Sequence, residues 1–199
     1  MEKHKNKLPF MAGILFLLNA VTSVAYAWIK GVHRFDLGIS FSSYVGLFRR
    51  TSVVYFISAI VMVPALGYYV AKTRMPKLKK AFYIPVLICI FGTAFFPFNT
   101  FSEAPTPVTI DLHNDFAVAL MLFTLVTFII TAATAKDRRQ RITALVSIAY
   151  AVIFAVLFFT GAAVLFRVFF VYEVTFIIML LTALVMERCG DTAADIVNG

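Results

Sequence analysis

Charged side chains are scarce in this sequence, at 14% of 199 residues, while 61% are hydrophobic and the mean hydropathy is +0.90. A water-soluble domain of this length needs far more polar surface to cover its core, so the scarcity excludes that class and points to a chain solvated by lipid. Cysteine is limited to Cys89 and Cys189. They have no CxxC spacing and so make no zinc motif, and their different expected depths argue against a disulfide. Histidine is limited to His4, His33 and His113. A bis-histidine haem needs histidines paired across helices, and a membrane zinc hydrolase needs about three ligands and a base, so this set falls short of both. No lysine lies deep in an apolar run, which removes an attachment point for retinal. HExxH, GxSxG and phosphate-loop patterns are absent, as are internal repeats and low-complexity segments. No metal and no cofactor is expected.

What the chain does have is a succession of apolar runs, each close to the ~20 residues that cross ~30 Å of hydrocarbon as helix. They fall at Leu8–Ile29, Thr51–Ala71, Ala81–Pro97, Leu112–Thr134, Ile142–Leu165 and Phe169–Met186. The expected fold is an all-α integral membrane protein, a six-helix transmembrane bundle forming one domain over residues 1–199.

The net charge of +8 raises the question of nucleic acid, but the placement of the cations answers it. Lys3, Lys5 and Lys7 precede the first run, Lys72 to Lys80 join the second and third, Lys136 to Arg141 join the fourth and fifth, and Arg188 follows the sixth. Six spans bring thirteen of the eighteen Lys and Arg to one side. The positive-inside rule then places both termini in the cytoplasm of a cell-membrane protein, and the clusters touch anionic headgroups rather than nucleic acid. At the N-terminus, basic residues, an apolar run and Ala25, Tyr26 and Ala27 resemble a cleavable signal. The run is longer than a usual signal core and includes Asn19, Thr22 and Ser23, so a retained helix is the reading adopted.

Residues 30–50 form the first outer loop, whose latter half is mildly amphipathic and suits a short helix on the membrane face or a tilted extension of the second span. Arg49 and Arg50 offend the charge rule, but long side chains near a helix end can snorkel. Pro64 and Pro85 lie within spans, where a proline frees a backbone carbonyl and can frame a cavity. Thr124, Thr127, Thr131, Gly161, Ala162 and Ala163 favour close helix packing.

Ionisable residues at membrane depth are costly and therefore functional candidates. His33, Arg34, Asp36, Glu103, Asp111, His113, Asp115, Arg167 and Glu173 all gather at the outer side. Glu173 sits about one turn inside the last span and needs a partner, a proton or a wet pocket. Arg167 is the nearest cation, yet six residues is about 240° around a continuous helix, so the two face apart unless a turn intervenes. Glu173 then looks to His113 or a loop arginine. Asp111 and Asp115 suit a helix N-terminus as cap and first-turn acid. They lie about 40° apart around the helix, with His113 about 200° from Asp111, so the three cannot hold one metal from a regular helix. His113 is expected to face inward.

The layout of six helices, Phe96-Pro97 ending the third, His113 opening the fourth, and Arg167 and Glu173 around the start of the sixth resembles the bacterial domain-of-unknown-function 998 family and, more distantly, the eukaryotic Frag–DRAM–Sfk proteins. The resemblance implies a six-helix membrane protein without an established bacterial activity, whose distant relatives are linked to lipid remodelling, lipid asymmetry and autophagy. A wider superfamily suggestion implies metal-dependent lipid hydrolysis with several His, an Asp and a Ser, and this chain lacks the histidines. The expectation is therefore a polar outer pocket lined by His113, Glu173, Arg167 and Glu103 that binds membrane lipid or a lipid-like molecule. The alternatives are a lipid hydrolase using His113 and a carboxylate, and a proton-coupled transporter using Glu173.

Overall fold

The computed structural model of the protein describes residues 7–31, 36–96 and 107–197, and their side chains except those of 107–109, 163 and 188–197. Among the described residues the chain forms eight helices: α1 Leu8–Ile29, α2 Phe41–Gly46, α3 Arg49–Lys72, α4 Lys77–Phe95, α5 Pro107–Thr134, α6 Arg138–Phe159, α7 Ala162–Leu165 and α8 Phe169–Val197. Six are long and apolar enough to cross a membrane, so the all-α, multi-pass reading holds. They are apolar on all sides, because lipid solvates the outer face as the protein solvates the inner one. Val54, Ile57, Val61, Leu122, Ile153 and Val156 are large hydrophobics left exposed, which water would not tolerate in one continuous belt.

The packing order closes on itself. α1 lies against α3, α3 against α4, α4 against α5, α5 against α6, α6 against α8, and α8 returns to α1. The long helices thus make a ring in which α4 and α8 stand opposite one another. Asn19 joins α1 to α3, its amide donating to the Ser58 hydroxyl at 3.0 Å and to the Leu15 carbonyl at 2.8 Å. A buried amide in a membrane helix needs such partners, which explains a residue that would be out of place in a signal core.

Several boundaries differ from those expected. α3 starts at Arg49, so Arg49 and Arg50 sit in its first turn. α4 starts at Lys77, making Lys77, Lys79 and Lys80 helical rather than loop residues, and it ends at Phe95, before Pro97. The fifth apolar run is two helices: Gly161, at φ 70°, takes a left-handed turn that ends α6 and lets the short α7 begin. Gly161 is therefore a chain-breaking residue, not part of a packing face. Thr127 and Thr131 are buried on α5, and each hydroxyl donates to the carbonyl four residues back.

The short helix expected between the first two long ones exists as α2, but it does not lie on the membrane face. Ser40 caps it by accepting from the Ser43 N–H at 3.0 Å. Phe41, Tyr44 and Val45 are buried, and α2 packs against α1, α3 and α8. Its apolar side is spent on the ring, which it covers at one end. The preceding loop is tied down as well: the Asp36 N–H donates to the Tyr44 hydroxyl and the Gly38 N–H to the Asp36 carboxylate, each at 2.8 Å, and the Phe170 N–H donates to the Leu37 carbonyl at 3.0 Å.

Candidate functional site

Within the ring lies a partly open cavity of about 460 Å³. At the end covered by α2 its wall is polar, with Ser40, Ser42, Tyr55, His113, Asn114 and Glu173. Farther in it is lined by Met62, Leu66, Ile90, Met121, Phe176 and Leu181. Along α8 the lining runs from Phe169 to Leu181, about 18 Å of helix at 1.5 Å per residue. Met62 and Leu66 line the cavity from α3, whereas Pro64, two residues from each and so on the opposite side of that helix, is exposed and does not.

His113 and Glu173 both line this cavity, and their described hydrogen bonds go to different elements. α5 begins at Pro107, earlier than expected, so Asp111 is already past the first turn and is not the cap. Asp111 and Asp115 are exposed on one face, while His113, half a turn away, is 5% exposed and faces inward. Its Nδ1–H reaches the Phe96 carbonyl at 2.7 Å and the Thr93 carbonyl at 3.2 Å. These groups belong to the C-terminal end of α4, where carbonyls lose their helical donors. The imidazole therefore ties α5 to the end of α4 and, by donating from Nδ1, turns Nε2 into the acceptor nitrogen of the neutral ring. One turn below, the Phe116 ring covers Gly92, where a Cβ would collide with it; the close approach of α4 and α5 requires the glycine.

Glu173 finds a partner that residue types alone do not suggest. Its Oε2 accepts from the Phe41 N–H at 2.7 Å, and Ser42 stands beside the same carboxylate. The side chain thus clips α2 over the cavity from α8, and Tyr55 stands near it on the α3 wall. The described partner is thus a backbone amide where His113 or a loop arginine was expected, and the loop's Arg34 lies outside the described residues. Arg167 precedes α8, in a turn where its own φ is 53°, so the continuous-helix geometry does not apply to it. It is exposed and does not line the cavity. Glu103, His33 and Arg34 lie outside the described residues. Among the described residues no three His, Cys, Asp or Glu side chains converge as a metal site would require. Family models, curated proteins and solved structures were compared with the chain, and none matches it.

At the opposite end, where the basic residues gather, the ring interior holds charges that the sequence reading missed. Lys79 on α4 and Glu187 on α8 form a buried ion pair across the ring, with Lys79 only 1% exposed. The Tyr69 hydroxyl donates to the Leu184 carbonyl at 3.0 Å, tying α3 to α8 beside it. Buried nearby is Tyr83, whose hydroxyl has no hydrogen-bond partner among the described residues, a condition it shares with those of Thr124 and Ser147. The cavity is thus polar and covered at one end, apolar along its length, and separated from the basic end by a charged and tyrosine-rich floor. In the sequence Lys79 reads as one more flank cation, and Glu187 lies just past the last apolar run. Their pairing across 108 residues leaves no local signal.

Proposed function

We propose that this multi-pass protein binds a lipid or lipid-like amphiphile, its head among the polar groups under α2 and its tail in the apolar shaft. The observation that carries this reading is a cavity with a polar end and an apolar interior among helices long and apolar enough to cross a membrane. Ligand pockets of ~300–1,000 Å³ bury most of a small molecule, and apolar walls with a few placed polar groups are their usual form. The polar end is assigned to the non-cytoplasmic side of the cell membrane and both termini to the cytoplasm, because the opposite end of the ring carries Lys72, Lys77, Lys80, Arg138, Arg139 and Arg141. The hydrolase and transporter readings draw on the same His113 and Glu173, whose bonds to the Phe96 carbonyl and the Phe41 N–H tie them to the end of α4 and to α2.

Native mass spectrometry of the protein ejected from lipid nanodiscs tests the reading. The expected result is one amphiphile retained per chain under activation that strips annular lipid. Protein that emerges bare under every condition that preserves its fold would overturn it.

A further inference from the structure

The charge of the cavity wall narrows the ligand, given the amphiphile reading on which this step rests. Glu173 is the one acidic side chain among the described residues lining the cavity, and no Lys or Arg joins it there. The only ion pair among the described residues is Lys79 with Glu187, at the other end of the ring. What meets the Glu173 carboxylate is dipolar: the Phe41 N–H at 2.7 Å and the adjoining Ser42. Around them stand Ser40, Tyr55 and Asn114, groups able to hydrogen-bond a head but carrying no charge.

A chain lying in the shaft displaces water from this wall. A carboxylate then loses solvation that dipoles replace only in part, and attraction or repulsion by a ligand charge strengthens as the effective dielectric falls. An anionic head would either set two negative charges side by side, with no described cation to separate them, or force a proton onto Glu173, and both weaken its binding. An ammonium head would supply a counter-charge that the described lining residues do not, within reach of the serines and Tyr55. We infer that the site selects single-chain amphiphiles with a cationic, amine-type head and rejects those with an anionic head. His113, the other titratable group on this wall, points its Nδ1–H away to the Phe96 carbonyl and does not supply an anion site through that nitrogen.

The test loads the full-length protein in zwitterionic nanodiscs with equal amounts of hexadecylamine and hexadecanoate, each corrected for its partition into empty discs. Retention is read by native mass spectrometry. Wild type is expected to keep the amine over the carboxylate by about tenfold or more, the ratio that ~1.4 kcal/mol produces. Glu173→Gln keeps an oxygen for the Phe41 N–H and should bring the ratio near one. Should that variant misfold, Ser42→Lys leaves Glu173 in place but gives it a resident cation, and should erase the preference in the same way. Hexadecanoate held as well as the amine by wild type overturns the head-group assignment, and so does a preference that survives in both variants. Retention of neither chain overturns the amphiphile reading itself.

Discussion

Lys79→Met or Glu187→Leu alone is expected to lower the unfolding free energy by about 3–5 kcal/mol, and the two together to restore most of it. The pair joins helices on opposite sides of the ring, and both residues are nearly enclosed, at 1% and 7% exposed. Removing one partner strands a charge in the interior, near the unpartnered Tyr83 hydroxyl and the Tyr69 bond to the Leu184 carbonyl. Replacing both by apolar side chains of similar volume removes the attraction and the desolvation cost together. Reversible unfolding in mixed detergent micelles, run on the four proteins of the cycle, measures the coupling. Single variants that lose less than about 1 kcal/mol, the scale of exposed pairs, would show that water reaches this end of the ring.

Ala117→Trp is expected to reduce amphiphile retention about tenfold or more without loss of stability. Ala117 lines the cavity one turn below His113, where a small side chain leaves the space that the ligand tail enters. An indole there brings about 150–250 Å² of aromatic surface into the shaft and takes up that space. Because it fills a void rather than a packed core, the usual cost of overpacking is avoided. Val156→Trp is the control: Val156 is 57% exposed on the lipid-facing side of α6 and lies off the cavity wall. Native mass spectrometry of both variants beside wild type reads the effect, and equal retention in all three would place the ligand outside the ring.

Much of this architecture was legible in the amino-acid sequence because lipid imposes a length rule. Six apolar runs map onto the six long helices, with errors where the rule meets charge or glycine. A hydropathy rule cuts Arg49 and Lys77 from their helices because a cation ends an apolar run, although a first turn at the headgroups holds it readily. The run through Gly161 was read as unbroken because hydropathy does not register a left-handed turn. The inward face of His113 followed from helical spacing against Asp111 and Asp115. Glu173 stood out as a carboxylate at membrane depth, but its partner did not, since the Phe41 N–H belongs to the backbone and carries no residue signature. The floor was invisible for a different reason: Lys79 and Glu187 each resemble a flank charge until the ring closure sets α4 across from α8.

The central claim is that the ring interior, not its lipid-facing surface, holds the amphiphile. Photo-crosslinking with an alkyl-diazirine amphiphile in nanodiscs, followed by peptide mapping, tests it most directly. Adducts are expected on Met121 and Leu181, which line the shaft and are 6% and 5% exposed, and these should fade when unlabelled amphiphile competes. Adducts confined to outward residues such as Ile57 and Val156, undiminished by the competitor, would contradict it.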